Sequence, residues 1–305
     1  MKIFNEHFIA VEKNAGFPCE ACEEINEAAK KLDENLIVNQ KFEALVKKYM
    51  TDYPCDIGSK ILPDLEALDE ESGIHKYTLD LIFLMACSEI LHERYKAKGA
   101  SDDIFWGFTI DFRCKLMECI ECKGVAGTFV ADWNDLFFSM ERFALGRFQY
   151  EEYEIEAPVT LAGKEIEQGT LCVNMHIPSM GIPLTDDVRY DSYKKAYDFF
   201  TDRRLDNGCL LIRCGSWLLN PRHKEFLYPT SNILKFASDF KIYKEVVKDY
   251  FNDDWRIWGH YAQLPVEDRP ADTKLRKAYK DWMLAGNKTG YGCGAFMFDG
   301  EKIIK

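Results

Sequence analysis

The sequence lacks an excess of basic residues, and it lacks long apolar runs. Its 305 residues carry 39 lysines and arginines against 51 aspartates and glutamates, a net charge of -12. Nucleic acids and anionic membranes both attract a basic surface, so neither partner is expected. No stretch approaches the roughly 20 apolar residues that a membrane span needs, and the opening Met1–Glu6 meets charge too early for a secretory leader. We expect a soluble, cytoplasmic protein.

Nucleotide-binding motifs are also missing. There is neither a G-x-G-x-x-G fingerprint nor a P-loop, the two glycine patterns that bring backbone N–H groups close to phosphates. Nucleotide-dependent redox chemistry and phosphoryl transfer therefore have no support in the sequence. Internal repeats and low-complexity segments are absent as well.

Cysteine is plentiful, with eleven residues, but the number is odd and no spacing repeats. We expect reduced thiols. Two Cys-x-x-Cys pairs occur, Cys19/Cys22 and Cys119/Cys122, about a hundred residues apart. A structural zinc site needs four ligands within reach of one ion, and a three-residue step in a helix only places two side chains on one face. Buried thiols without a metal are the favoured interpretation.

The apolar spacing changes character at the middle of the chain. Residues 1–145 show helical periodicity, with breaks at Tyr53-Pro54 and Ile57-Gly58 and a last helix over Asp132–Leu145. From Gly146 onward short strands alternate with helices, and Asp254–His260 is one of the predicted strands. We predict an α+β protein: a helical domain over residues 1–145 and a mixed α/β domain over residues 146–305.

The stretch from Leu171 to Leu219 is the most informative. It predicts a strand over Leu171–Ile177, a helix capped by Thr185, and a second strand over Cys209–Cys214. Two strands joined by a helix form a crossover unit in which the strands are parallel. Ligands on such units bind at the carboxyl ends of the strands. Here those ends carry His176 and Ser216.

Three side chains near these ends are candidates for chemistry. His176 is either a general acid or base, because imidazole titrates near neutrality, or a structural histidine, and no Asp or Asn is evidently placed to orient it. Cys214, if activated by His176, would be an acyl-transfer nucleophile, but a small buried residue is favoured. Ser216 lacks the G-x-S-x-G context of a serine hydrolase.

The loop Ser179–Gly181 could cradle a phosphate group before the helix. Asp186 and Asp187 in the first helical turn would repel that phosphate, unless a basic side chain offsets them. The candidates for that role are Arg189, Lys194 and Arg213. At the junction of the halves, Arg147 and Gln149 either line a ligand cleft or serve a purely structural junction together with Trp133, and the structural junction is favoured.

Five stretches, in this order, resemble a bacterial family of acyltransferase-domain proteins, in which an N-acyltransferase N-terminal helical domain precedes a GNAT-like C-terminal domain. The stretches are Leu145–Glu151, Asn174–Pro178, Ser216–Pro221, Ser231–Phe236 and Thr273–Ala278 followed by Ala285-Gly286. They span the C-terminal half, whereas the helical half resembles the family mainly in its arrangement and in Trp133. This sequence has glycine at position 215, whereas an acidic residue precedes the Ser-Trp pair in the family.

The resemblance implies a GNAT-like fold that moves an acyl group from acyl-CoA (acetyl-CoA or longer) to the amine of a small molecule. The first crossover strand would splay from the second, with pantetheine in the gap and pyrophosphate at the following loop. The implied cofactor-binding residues are Met175, Ile177, Ser179, Met180, Gly181 and Asn220. The implied substrate-binding residues are Arg147, Gln149, Glu151, Trp217 and Asn232.

For catalysis the resemblance implies His176 as the base, with Glu151 or Glu154 as alternatives, and Ser216 or Tyr228 as proton donor to the leaving thiolate. No metal is implied. The alternative interpretation is a GNAT-like module without catalysis that binds a ligand or a protein. The acidic turn at Asp186 and Asp187 favours this alternative, whereas the position of the family motifs at strand ends favours the enzyme.

Overall fold

A computed structural model describes residues 1–51 and 56–305. They form two compact units, Met1–Ala144 and Leu145–Lys305. The predicted boundary lay between Leu145 and Gly146, and the predicted break at Tyr53-Pro54 falls outside the described residues. The first unit is helical and the second is built on a mixed β-sheet, so the predicted α+β class is confirmed.

The helices of the first unit follow one another with short connections. They are α1 (Glu6–Ala15), α2 (Cys19–Glu34), α3 (Leu36–Thr51), α4 (Ile57–Lys60), α5 (Leu62–Glu66), α6 (Leu68–Ser72), α7 (Lys76–Ala97), α8 (Asp102–Lys123) and α9 (Asp135–Phe138). The long helix α7 is buried on nearly every side, including the run from Leu81 to Cys87. A helix that is apolar all round belongs in the centre of a domain, and the other helices bury one apolar stripe each in the same core.

Helix ends follow the capping signals of the sequence. The Ser101 hydroxyl accepts a hydrogen bond from the backbone N–H of Asp103 at the start of α8. Gly124, with φ 69°, ends the same helix in the left-handed conformation that glycine adopts without steric cost.

Two predictions for this unit are wrong. The helix expected over Asp132–Leu145 ends at Phe138, because Met140 takes a left-handed backbone conformation (φ 58°) and the chain then enters a strand. The break expected at Ile57-Gly58 is instead the start of α4, since the Asp56 carboxylate caps its first turn by accepting from the N–H of Ser59.

The second unit contains a sheet whose strand order across the described residues is β1-β2-β5-β6-β8-β7, with β9 on β8, and a separate β3-β4 hairpin. The strands are β1 (Arg142–Leu145), β2 (Phe148–Glu154), β3 (Val159–Leu161), β4 (Lys164–Ile166), β5 (Leu171–His176), β6 (Leu210–Ser216), β7 (Lys241–Lys248), β8 (Thr289–Phe298) and β9 (Ile303–Ile304). The helices are α10 (Asp186–Phe199), α11 (His223–Phe226), α12 (Asn232–Ala237), α13 (Trp255–Trp258) and α14 (Lys274–Leu284).

The crossover unit is confirmed: β5, α10 and β6 follow one another, and the two strands are parallel. Their paired residues are Val173 with Ile212 and Asn174 with Arg213. Among the described residues no further pair joins β5 to β6 beyond Asn174, toward the carboxyl ends. The strands therefore separate where His176 and Ser216 lie.

The two faces of the sheet have different roles. On one face Tyr150, Met175 and Phe296 are buried, and the Tyr193 ring on α10 lies 4.9 Å from that of Phe296. The opposite face is apolar at one end, where the β3-β4 hairpin contributes Leu161 to a core cluster. Elsewhere that opposite face carries polar side chains.

One prediction for the second unit is wrong. Asp254–His260 is helical rather than extended, because Trp258 is fully buried and its ring lies 6.3 Å from that of Tyr279; tertiary packing overrides the strand preference of aromatic residues. Strand β8 begins at Thr289 and contains the glycine-rich run Gly290–Gly294. In the described part of the chain, no helix has both the length and the apolar composition needed to cross a membrane.

Candidate functional site

Strand pairing gathers polar side chains on the face of the sheet that lies opposite α10. Asn174 and His176 are two residues apart on β5, so they point to the same face. Asn174 is paired with Glu151 on β2 and with Arg213 on β6. Three neighbouring strands thus place Glu151, Asn174 and Arg213 side by side, with His176 next along β5.

His176 has direct polar contacts. Its Nε2 lies 2.9 Å from Glu151 Oε1 and 3.0 Å from Asn174 Nδ2. The side chains of His176 and Glu151 are 21% and 12% exposed, so the pair is largely shielded from water. The expectation that no Asp or Asn is placed to orient His176 was wrong, because Asn174 lies two residues earlier on the same strand and contacts the ring. A second partner, Glu151, comes from a neighbouring strand.

Asn174 connects this pair to a buried ion pair. Arg213 Nη1 donates to Asn174 Oδ1 at 2.7 Å, and Arg213 Nε donates to Glu156 Oε2 at 3.1 Å. Arg213 Nη2 donates to Glu156 Oε1 at 2.5 Å, which makes the contact bidentate. Tyr243 donates its hydroxyl proton to Glu156 Oε2 at 2.8 Å.

We call this set the polar row: His176, Glu151, Asn174, Arg213, Glu156 and Tyr243. Burial acts to raise the pKa of Glu156, but the hydrogen bonds from Arg213 and Tyr243 outweigh it and lower that pKa to about 2. Glu156 therefore stays ionised at neutral pH and holds the Arg213 guanidinium in one place.

Cys214 is not placed to react with His176. It is fully buried, and it lies on β6 next to Arg213, so its side chain points to the face that packs on α10. Burial raises the pKa of its thiol to about 12, and the thiol rather than the reactive thiolate is present at neutral pH. The structure therefore argues against the nucleophile role considered from the sequence.

The two candidate proton donors differ in their surroundings. Ser216 ends β6, and its hydroxyl accepts from the N–H of Leu218 at 3.2 Å, which leaves its own proton available to donate. Strand alternation places Ser216 on the same face as Cys214. Tyr228 is 53% exposed, and Lys274 Nζ lies 5.4 Å from its ring.

The loop after β5 is held by Arg147. Its Nη1 donates to the carbonyl of Pro178 at 2.8 Å and its Nε donates to the carbonyl of Ile182 at 3.3 Å. Between these points Gly181 adopts φ 74°, which costs glycine little. Arg147, predicted to bind substrate, is thus an anchor for the predicted phosphate loop.

A cavity of about 350 Å³ opens beside this loop. Its lining combines aliphatic side chains with the start of α10, and comprises Gly146, Arg147, Met180, Ile182, Asp187, Val188 and Asp191. Ser179 and Gly181, the other predicted residues of the loop, are exposed.

The acidic turn that follows the loop is partly neutralised. Arg189 Nη2 lies 3.0 Å from Asp186 Oδ1, and the same buried guanidinium binds Asp239. Of the three basic residues considered from the sequence, Arg189 fills this role, whereas Arg213 binds Glu156. Thr185 precedes the helix, but its hydroxyl makes no cap to the backbone; its hydrogen bond to Asp187 lowers the pKa of that carboxyl group.

The remaining predicted residues lie in different parts of the second unit. Gln149 is buried on β2 opposite His176, so it lies beside the polar row. Met175 is buried on the face toward α10, and Ile177 is half-buried just beyond β5.

Trp217 belongs to an aromatic cluster, with its ring 5.9 Å from that of Tyr279 and 6.0 Å from that of Phe251. The buried Asn220 side chain accepts from the N–H of Arg222 at 3.0 Å. Asn232 is exposed at the start of α12.

Sequence reasoning missed the roles of Asn174, Glu156 and Tyr243, and it considered Arg213 only as a charge. Two signals could have found part of the row. Asn174 lies two residues before His176, and Arg213 interrupts a buried run, which requires a buried partner. No sequence signal identifies Tyr243, which is the extra residue of a β-bulge between β7 and β8.

The cysteines within 1–51 and 56–305 are free thiols. Cys19 and Cys22 lie on α2, and Cys119 and Cys122 lie on α8. Cys119 and Cys122 are buried as favoured, whereas Cys19 is exposed. Among the described residues no cluster of three histidine, cysteine or acidic side chains is arranged to hold a metal ion.

Comparison with protein families gives two matches that together span most of the chain. Residues 143–296 match the GNAT-like C-terminal domain, and residues 9–140 match the N-acyltransferase N-terminal domain. No curated protein matches.

Solved structures similar to this chain are acyltransferases. One, in complex with decanoyl-CoA, is 23% identical with a TM-score of 0.71, over 94% of this chain and 86% of that one. A second, in complex with decanoyl-CoA and teicoplanin, is 19% identical with a TM-score of 0.73, over 96% and 88%. A third, in complex with CoA and 10C-teicoplanin, is 19% identical with a TM-score of 0.72, over 95% and 87%. At these identities the similarity establishes a shared fold.

Proposed function

Because this chain belongs to the family of the GNAT-like C-terminal domain, we propose that it transfers an acyl group from acyl-CoA to an amine. An N-acyltransferase N-terminal domain precedes the GNAT-like domain in this chain. The observation that carries the proposal is the separation of β5 from β6 beyond Asn174, with His176 at the point of separation. A strand that leaves its neighbour there exposes backbone groups that an extended amide-containing chain can pair with.

The acyl donor would lie along the end of β5. The pantetheine amides would pair with backbone groups near Met175 and Ile177, and the pyrophosphate would lie at the loop Ser179–Gly181. The bond between Arg189 and Asp186 supports this placement, because it reduces the negative charge that a phosphate would meet. The solved acyltransferases named above carry decanoyl-CoA or CoA, which agrees with acyl-CoA as the donor.

The reaction is an aminolysis of the thioester. The amine nitrogen attacks the acyl carbonyl carbon, a C–N bond forms, the C–S bond breaks and CoA leaves as a thiolate. His176 takes the proton that the nitrogen loses, and Glu151 stabilises the imidazolium that results. The thiolate takes a proton from Ser216 or Tyr228, which solvent replaces.

The acceptor is proposed only as a class, the amine of a small molecule. Two of the similar structures contain teicoplanin or 10C-teicoplanin, so teicoplanin belongs in the screen of acceptors. Of the substrate-binding candidates, Glu151 contacts His176 directly, and Gln149 is the register partner of His176 on β2. Trp217 and Asn232 remain candidates farther along the chain.

A turnover assay with two histidine variants tests the role of His176. Release of free CoA thiol from decanoyl-CoA is measured with a panel of amines that includes teicoplanin. We expect His176→Gln to lower kcat by about a thousandfold, because a positioned general base contributes about 10² to 10⁴ in rate. Acyl-CoA binding should persist in this variant.

The matched control is His260→Gln, which changes an exposed histidine of the same unit and should leave kcat unchanged. Turnover by His176→Gln at the wild-type rate would remove His176 from the mechanism. Binding of acyl-CoA with no transfer to any amine would instead favour the alternative of a ligand-binding module without catalysis.

A further inference from the structure

The two Cys-x-x-Cys pairs of the chain lie at opposite ends of their helices. Cys19 is the first residue of α2 and Cys22 lies three residues later, whereas Cys119 and Cys122 lie near the end of α8. Among the cysteines that the structure describes, Cys19 alone is exposed, Cys22 is half-buried and the others are buried. The first pair is therefore the one that a small molecule can reach, and the proposed acyl transfer does not use it.

The position of the first pair suits a disulfide. Residues three apart in an α-helix have Cα atoms about 5 Å apart, inside the range of roughly 4.4 to 6.8 Å that disulfides span. Pro18 at the N-cap of α2 gives the backbone N–H groups of the first turn no side-chain partner. Uncapped helix N-termini are places where a thiolate, the nucleophilic form of cysteine, is stabilised. Cys19 thus has the position and the exposure of an attacking thiol.

A buried carboxyl group faces the second cysteine. Glu12 on α1 has 6% of its surface exposed. The side chains of Cys22 and Asn26 hydrogen-bond to this carboxyl group, and even so its buried Oε1 has no partner among the described residues. The Cys22 thiol also lies 3.9 Å from the carbonyl oxygen of Phe17. Because a buried acceptor without a partner costs free energy, Glu12 does not serve stability at this position.

The ionisation of the two groups is coupled. Burial raises the pKa of Glu12 to about 7, although the hydrogen bonds from Asn26 and Cys22 act to lower it. Burial, together with the charge of Glu12, raises the pKa of the Cys22 thiol to about 11. At neutral pH Cys22 is therefore protonated and Glu12 is partly ionised. A base whose pKa lies near the working pH is suited to take a proton, and Cys22 must lose one before it can act as a nucleophile.

We propose that Cys19 and Cys22 form a thiol–disulfide exchange site for small disulfides, in which Cys19 attacks, Cys22 closes the ring and Glu12 takes the Cys22 proton. Cys19, its proton lost to solvent, attacks one sulfur of the small disulfide; a mixed disulfide forms and one half of the reagent leaves as a thiolate. The Cys22 sulfur then attacks that of Cys19, the protein disulfide forms and the other half leaves. The dithiol loses two electrons, which the reagent gains, and a thiol reductant reverses both steps. This inference is independent of the proposed function.

Exposed acidic side chains give the site a charge preference. Glu20, Glu23 and Glu24 lie on the same two turns of α2 and are exposed, so they attract small cations and repel small anions. The rate with cystamine, a disulfide with two ammonium groups, should fall about threefold as NaCl is raised to about 0.5 M, because salt screens the attraction. The rate with the anionic oxidised glutathione should rise. The opposite salt dependence, or none, would overturn the charge preference.

The exchange itself is tested on the whole wild-type protein, reduced, freed of reductant and incubated with cystamine. Remaining thiols are alkylated at intervals, and peptide mass spectrometry identifies an internal disulfide by the loss of two hydrogens. We expect the Cys19–Cys22 disulfide to form at least about a hundredfold faster than one between Cys119 and Cys122, the matched pair, because buried thiols are inert. Equal rates for the two pairs, or a first pair that stays reduced or stops at the mixed disulfide, would overturn the inference.

Glu12→Gln tests the base, because glutamine has the same length and cannot take the proton. We expect the attack by Cys19 to keep its rate and ring closure to be about a hundredfold slower, within the range that a general base contributes. The mixed disulfide then accumulates and is detected by the mass of cysteamine on the Cys19 peptide. This separation of the two steps distinguishes a base from a residue that only supports the structure, whose loss would change both rates.

The matched control is Glu6→Gln, which changes an exposed glutamate of the same helix α1 and should close the ring at the wild-type rate. Circular dichroism shows whether each variant is folded. Cys22→Ser should stop at a persistent cysteamine adduct on Cys19. Ring closure at the wild-type rate in a folded Glu12→Gln would overturn the role of Glu12, and the absence of an adduct in a folded Cys22→Ser would overturn the role of Cys19.

Discussion

His176 contacts one residue of its own strand, Asn174, and one that strand pairing brings to it, Glu151. The alternation of side chains along a strand is visible in the sequence and places Asn174 on the same face as His176. The position of Glu151 opposite Asn174 depends on the register between β2 and β5, which is set by the turn geometry and burial of the whole segment. Residue types alone therefore identify the histidine but not the side chains of Glu151 and Asn174 that contact it.

Asp80 gives a prediction at the same scale. It lies on α7 with 2% of its surface exposed, and burial raises the pKa of its carboxyl group to about 8. The nearby charge of Glu66 also raises this pKa, whereas the charge of Lys76 lowers it. The folded state therefore disfavours ionised Asp80. The amount by which Asp80 lowers the free energy of unfolding grows as the pH rises from about 4, the pKa in the unfolded chain, toward 8, the pKa in the folded protein. Asp80→Asn should unfold at higher denaturant than the wild type, and the difference in unfolding free energy should grow by roughly 1 kcal/mol per pH unit between about pH 5 and about pH 7.

The control for Asp80→Asn is Asp64→Asn, an aspartate of the same unit whose side chain is 69% exposed. It should show no such growth with pH. Denaturant unfolding followed by circular dichroism at several pH values gives both free energies. A constant or shrinking difference for Asp80→Asn would mean that Asp80 is ionised without penalty in the folded state.

At the scale of elements, β8 explains the glycine-rich stretch from Gly290 to Gly294. Gly290, Gly292 and Gly294 alternate along the strand, so they lie on one face. A Cβ at Gly292 would lie 2.2 Å from the carbonyl oxygen of Leu219. Gly292 thus allows the segment after β6 to cross close to the strand.

We predict that Gly292→Ala destabilises the protein by about 3 kcal/mol, because the obstructing atom belongs to the backbone and cannot rotate away. Gly107→Ala is the matched control, since its Cβ would come no closer than 3.4 Å to another atom and alanine favours the helix that contains it by about 0.5 kcal/mol or more. Thermal unfolding gives the melting temperatures of both variants, and we expect a clear decrease for Gly292→Ala and none for Gly107→Ala. Equal melting temperatures for Gly292→Ala and the wild type would show that the close crossing does not exist in solution.

Elements with a clear period were predicted well, and elements decided by tertiary contacts were not. The crossover unit from β5 to β6 follows directly from apolar spacing. Trp255–Trp258 became helical because its side chains are buried in an aromatic cluster, a context that composition cannot reveal. The end of α9 depends on one left-handed residue, Met140, and a methionine carries no signal for that conformation.

At the scale of the whole molecule, composition and motif order predicted the fold class and the family. The change from helical to strand periodicity at Gly146 indicated two parts, and the family matches fall on residues 9–140 and 143–296. The acceptor could not be predicted, because the recognition of an amine depends on the shape and charge of a surface formed by distant segments. For the same reason the polar row was found only in part.

The central claim is that acyl-CoA binds at the point where β5 leaves β6, and isothermal titration calorimetry with decanoyl-CoA and acetyl-CoA tests it most directly. The wild type is compared with Ile177→Trp, which fills the space just beyond β5, and with Val247→Trp, which makes the same kind of change at a 46% exposed position of β7. The account predicts binding on the order of micromolar for the wild type and for Val247→Trp, and affinity at least about tenfold weaker for Ile177→Trp. A folded wild type that binds neither acyl-CoA, or equal affinity in all three proteins, would contradict it.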